Sequence, residues 1–254
     1  MNRTINILPS FDTFSRCVEK LPGIILISAS AIFGNYAYAT SEAPRAIQEK
    51  DYFNGQVIFN QALDDYFADR NREAMKGFNR LKGTDYAQVS AVPYAINLVA
   101  LGKYSQAKKL FSNLKNSTLV REREYAQLWE LWLTAKEWKG SNILLGKTLQ
   151  RLVSAQNWHP SYMQTIAGLY AGQETVENVF RAVDALSSDP ALRKDAFTEA
   201  TFFAGEYLQN VKHDSAAAKQ LFNANLSKLN SVSLERPFID RACATLNKHT
   251  HKSK

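Results

Sequence analysis

An all-α fold built as a stack of helical hairpins, a repeat solenoid, follows from three features of this sequence. First, Ala74, Phe78 and Leu81 recur 33 positions later as Ala107, Phe111 and Leu114, and the first two recur 34 positions beyond as Ser141 and Leu145. A period of that length is the size of a two-helix unit. Second, apolar residues fall at three- and four-residue steps along most of the chain, the pattern of one-sided helices. Third, once an N-terminal export segment is set aside, about 215 residues remain with a single cysteine. That is large for one core and leaves no intramolecular disulfide, yet it suits an array whose core grows unit by unit. Each hairpin in such an array leans on the next, and the product is an extended surface that holds other molecules.

The elements follow in order. Arg3, Arg16 and Lys20 precede an apolar run over residues 21–33, and Ala37 and Ala39 then stand at A-x-A spacing. These three parts make residues 1–39 a secretory signal peptide with cleavage before Thr40. The run is broken by Pro22, Gly23 and two serines and falls short of the roughly 20 residues a span requires. No membrane span is therefore expected in the mature form, with an uncleaved anchor as the alternative. Cys17 lies before the run, which does not fit lipid modification. The expected destination is a Gram-negative periplasm.

Residues 40–46 read as a short leader, 47–247 as the helical array and 248–254 as a basic tail. From Ile47 to Phe67 the apolar residues Val57, Ile58, Ala62, Leu63, Tyr66 and Phe67 mark one helix, and Ala74, Met75, Phe78 and Leu81 mark the next. Gly83-Thr84-Asp85 closes this hairpin. Residues 86–100 form a third helix, striped by Val89, Val92, Ala95, Ile96 and Val99, with Gly102 in the left-handed position beyond its end. Pro93 is tolerated only in a first turn, which moves the expected start of that helix to about Ala91. Tyr125, Trp129 and Trp132 fall at helical steps with Trp138 at the following turn, giving packing between hairpins, or alternatively an aromatic-lined groove. Trp158-His159-Pro160 is a loop before a helix starting near Ser161. Phe238 to Leu246 is an apolar helical stretch in which Cys243 acts as a small buried hydrophobe, and it is also a candidate surface for self-association.

Tyr94-Ala95, Leu98, Gly102, Tyr104, Ala107, Phe111 and Leu114 together resemble the signature of a tetratricopeptide repeat. Small residues let the two helices of a hairpin approach, and aromatics fill the gap to the next hairpin. A second unit near 201–226 is similar through Gly205, Leu208, Ala217, Leu221 and Ala224, with His213-Asp214 at its turn. The tryptophans at 129, 132 and 138 depart from the pattern, and residues 161–186 keep little beyond Ala167 and Gly172. The resemblance covers about residues 55–230 and implies about five hairpins, three of them degenerate. It also implies that first-helix residues line a concave partner-binding face. Here these are Phe59, Tyr66, Val99, Glu130, Tyr162, Glu206 and Gln209, together with Val92, Ala126 and Ile166. The carboxylate clamp of the family's best-known peptide binders is missing at the matching positions, so an amphipathic helix or an extended protein segment is the expected occupant.

Composition and spacing narrow the function. The mature chain carries 28 basic against 22 acidic residues, a net +6, compatible with anionic partners such as peptidoglycan. Nucleic acid is not expected, because no long basic run interleaves with aromatics. No nucleophile with a base, no paired carboxylates in a pocket and no phosphate-cradling glycine loop occurs at diagnostic spacing, so catalysis is not expected. Asp64-Asp65 and the pair Glu122 and Glu124 are expected on solvated faces. His249 and His251 lie in the tail, His159 lacks a metal-like partner at short spacing, and no metal or cofactor is expected. The expected role is an exported protein-binding scaffold or adaptor in an envelope or secretion assembly. An accessory subunit of a cell-wall enzyme is the alternative.

Overall fold

The computed structural model describes residues 45–186 and 189–251. The expected signal peptide, nearly all of the leader and the last three residues of the tail lie outside the described residues. Eleven α-helices occur among those described: α1 (Arg45–Phe67), α2 (Asn71–Arg80), α3 (Ala87–Ala100), α4 (Tyr104–Leu114), α5 (Val120–Lys136), α6 (Asn142–Ser154), α7 (Tyr162–Tyr170), α8 (Val176–Asp184), α9 (Pro190–Asn210), α10 (Ser215–Asn225) and α11 (Arg236–His251). A single 3-10 turn, Leu226–Lys228, follows α10. The fold is all-α. No helix among the described residues is long and apolar enough to cross a membrane.

The helices form two layers. Each even-numbered helix packs on the odd-numbered helix before it and on the one after it, while odd helices also touch each other, α1 with α3, α5 with α7, α7 with α9, and α9 with α11. An additional contact joins α5 directly to α9, so the odd layer folds onto itself.

The fourth and eighth residues of every even helix are buried: Ala74 and Phe78, Ala107 and Phe111, Leu145 and Leu149, Val179 and Val183, Ala218 and Phe222. These positions correct two sequence alignments. Ser141 is the exposed N-cap of α6, its hydroxyl accepting from Leu144 N–H, and Leu145 stands where Ala107 stood. In α10 the inward pair is Ala218 and Phe222, one residue beyond the expected Ala217 and Leu221. The starts of the even helices are separated by 33, 38, 34 and 39 residues, whereas a recurrence search assumes one fixed period.

Turns repeat as well. Asp69, Gly102, Gly172 and His213 all have positive φ, between 55° and 72°, just before an even helix. The residue after each returns its N–H to a carbonyl inside the preceding helix: Arg70 to Asp65, Lys103 to Leu98, Gln173 to Gly168 and Asp214 to Leu208. This is the left-handed helix stop that glycine adopts most easily, as expected for Gly102. Pro93 contradicts its expectation. It is the seventh residue of α3, buried in the middle of the helix. An interior proline costs about 3 kcal/mol, and the burial of Val92, Ile96 and Val99 on the same helix offsets it. The C-terminal helix likewise runs to His251, past the expected end of the helical array at residue 247 and into the basic tail.

At the centre sits an aromatic cluster. Trp129 stacks on Phe111 at 5.7 Å with ring planes 4° apart, and meets Phe202, Phe203, Phe238, Tyr125 and Trp132 within 6.3 Å. Packing is the role these tryptophans play here. Trp138 is half-buried at the α5–α6 turn, its indole N–H donating to the Ser141 carbonyl.

Candidate functional site

The most concentrated polar chemistry lies where the odd layer closes. Arg121 opens α5, Tyr162 opens α7, Asp195 and Glu199 lie one turn apart on α9, and Ser233 and Glu235 lie between α10 and α11. Arg121 donates through one guanidinium nitrogen to Tyr162 Oη and through the other to Glu199 Oε1, both at 2.7 Å. Tyr162 Oη–H donates to Glu199 Oε2 at 2.7 Å. Asp195 stands 4.0 Å from the guanidinium and accepts from Asn230 Nδ2. Glu235 accepts from the Tyr125 hydroxyl and from Ser233 Oγ at 2.7 Å.

Asp195 and Glu199 therefore share one guanidinium, with Glu235 close enough to feel both carboxylates, in a setting from which water is largely excluded. Glu199 and Glu235 are each 1 % exposed. Burial pushes the Glu199 carboxyl up to about 7, with Arg121 working against that rise and Asp195 adding to it. Burial, then the charges of Glu199 and Asp195, push Glu235 up to about 8. Burial also raises Asp195 and the Tyr125 and Tyr162 hydroxyls, so both tyrosines stay donors. Desolvation disfavours the Arg121 charge, but Glu199 and Tyr162 outweigh it and hold the guanidinium protonated. The recess lined by Val92, Arg121, Glu122, Tyr125 and Glu199 is too tight to seat a water molecule. Tyr125 and Ser233 both donate to Glu235 and favour its charged form, against the larger upward push of burial and the neighbouring carboxylates, and together they clamp the segment that carries it.

The clamp fastens residues 229–246 across the odd layer. Asn230 N–H donates to Thr198 Oγ1 at 2.8 Å, and Tyr66 Oη–H donates to the Leu234 carbonyl. Phe238 packs on Trp129, Trp132 and Phe202, and Arg241 pairs with Asp69 at 2.9 Å. Ile239, Cys243 and Leu246 are buried. The apolar residues of the Phe238–Leu246 stripe, a candidate surface for self-association, are taken up by the chain's own odd layer. The Cys243 reading holds as expected: burial raises its thiol.

The same closure corrects the expected partner-binding face. Phe59 is buried against Phe78 and Tyr86, Tyr66 is fully buried under Leu234, and Val92, Val99, Ala126 and Ile166 are core. Tyr162 is part of the buried junction. Glu206 is buried, accepting from Trp132 Nε1 and Asn210 Nδ2 at 2.8 Å with Lys136 at 3.4 Å. Glu130 and Gln209 alone of the seven principal candidates are half-exposed, and Glu130 is paired with Lys115 at 2.7 Å. Glu122 and Glu124 also depart from expectation, since both are buried. Ser117 Oγ donates to Glu122 at 2.6 Å, and the His159 backbone N–H donates to Glu124 at 2.6 Å. α5 touches α4, α6, α7 and α9, and its contacts cover the sides on which Glu122 and Glu124 lie.

Sequence reasoning passed over Arg121, Asp195, Glu199 and Glu235, and read Tyr125 for packing or a groove and not as a donor to a buried carboxyl. A signal existed at Glu199, a lone acid in Ala196-Phe-Thr-Glu-Ala-Thr-Phe-Phe203. No family model matches this chain, and no curated protein matches it.

Proposed function

We propose that this protein is an exported scaffold or adaptor that binds another protein, with a tetratricopeptide-like solenoid as its architecture and an envelope or secretion assembly as its setting. The observation that carries this reading is the manner in which the odd-helix layer holds residues 229–246. A turn segment over residues 229–235 is bound through its main chain, at Leu234 and Asn230, and continues into an amphipathic helix seated on aromatics. Apolar anchors along one face of an amphipathic helix are how grooves between packed helices hold peptide segments. Recurrence of the even-helix inward pair, together with the residues of the tetratricopeptide signature, supports the architecture. A partner segment either replaces the chain's own occupant or uses the outer, even-helix surface.

The test is affinity capture from envelope extracts with the full chain, against a variant in which Glu235→Ala loosens the clamp. Retention of one protein in stoichiometric amount, increased by the Glu235 change, marks the inner layer as the binding face. Retention unchanged by that substitution places binding on the outer surface. Retention of cell-wall fragments and no protein contradicts the scaffold reading.

A further inference from the structure

Helix α6 differs from the other even helices in what it shows to solvent. Leu145, Leu149 and Val153 face inward, and Gly146 has open space around it. In its first turn Ile143 is 74 % exposed and Leu144 55 % exposed, the two most exposed large aliphatic residues among those described. Lys139, Lys147 and Arg151 are exposed around them. The sequence from Trp138 through Gln173 contains no aspartate or glutamate. The neighbouring acid Glu137 is paired with Lys108 at 2.6 Å, and Asp214, across the contact between His213 and Asn142, caps α10. Trp138 holds the turn beneath this corner through its bond to Ser141.

We propose that the α5–α6 corner is a contact site for an anionic bilayer surface, Ile143 and Leu144 entering the headgroup–acyl boundary while Lys139, Lys147 and Arg151 meet lipid phosphates. Two protruding aliphatic side chains ringed by unopposed cations suit a lipid interface, where shallow apolar insertion and Coulomb attraction add. They suit a protein partner poorly, because a stable protein interface needs about 800 Å² on each side and only two large apolar residues protrude here. A glycan partner would account for the cations but leave the aliphatic pair in water. This inference does not rest on the scaffold reading, since its ligand is a lipid surface and its residues are those of the α5–α6 corner alone.

The test is co-sedimentation of the full chain with phosphatidylglycerol–phosphatidylcholine vesicles and with phosphatidylcholine vesicles, in about 0.1 M salt, where exposed charges still act over roughly 10 Å. Preference for the anionic vesicles is expected, and a double Ile143→Ser, Leu144→Ser variant is expected to lose about tenfold in partitioning. Its thermal melt should be unchanged, since both side chains are exposed. A triple Lys139→Gln, Lys147→Gln, Arg151→Gln variant should lose the anionic preference. Comparing variant with parent holds the N-terminal segment constant. Equal partitioning of the double variant and the parent overturns the proposal, as does absence of anionic preference or retention on purified peptidoglycan in place of vesicles.

Discussion

Helices α5 and α6 are consecutive and joined by a short turn, yet they are governed by different rules. α6 buries a single stripe of three residues, while α5 buries eleven of its seventeen, glutamates included. An outer helix has one neighbour-facing side and its burial follows the 3.6-residue period. An inner helix of a layer that closes on itself is covered on several sides, and its polar residues must find partners within the protein. The same contrast separates α9, with its buried Asp195, Glu199 and Glu206, from α10, which buries Ala218, Phe222 and Asn225.

Substitutions can break this contrast. The largest effect is expected at Trp129, which touches α4, α9 and α11 at once: Trp129→Ala should cost about 3–5 kcal/mol, read by denaturant unfolding. A comparable truncation in the outer layer, Ile143→Ala, should leave stability within about 0.5 kcal/mol. If the two costs are similar, the division into layers fails.

Next is pH. Glu199 and Glu235 hold protons more tightly folded than unfolded, so stability should fall as pH rises from the ordinary carboxylate range toward about 8 and level off above it. Melting temperature should drop by about 5 °C between pH 5.5 and pH 8.5. Glu235→Gln, which stays neutral, should flatten part of that decline, and a slope unchanged by the substitution would show that the junction does not titrate as described.

Two glycines give opposite signs. A methyl group on Gly205 of α9 would lie 2.2 Å from the Phe222 ring, so Gly205→Ala should destabilise by about 1–3 kcal/mol. Gly146 of α6 has nothing within reach, so Gly146→Ala should stabilise by about 0.5–1 kcal/mol through helix propensity. Thermal melts of the two variants decide both.

The same contrast explains what was legible in the sequence. The inward pairs of α2 and α4 stand out as Ala-x3-Phe because an outer helix needs one small and one large residue where it meets the inner layer. For α6 and α10 the alignment slipped because α5 and α9, at 17 and 21 residues, are longer than the 14-residue α3. A fixed-period comparison cannot register that lengthening. The candidate site was hardly legible. Tyr66, Tyr162 and Glu206 lie on odd-numbered helices, but no periodicity reveals that residues 229–246 return over that layer. That return depends on pairings such as Tyr66 with Leu234 and Tyr125 with Glu235, over 100 residues apart, which carry no local signal. Arg121 looks like an ordinary surface charge until the layer closes, and Glu199 stands out only as a lone acid in an apolar stretch.

The closure itself is tested most directly by native-state hydrogen exchange across the full chain. Amides of α11 between Asp240 and Leu246 should exchange as slowly as those of α5 and α9 near pH 6, and Glu235→Ala should accelerate them selectively. Rapid exchange over residues 229–246 while α5 and α9 stay protected would contradict a closed inner layer and return the odd-helix face to solvent.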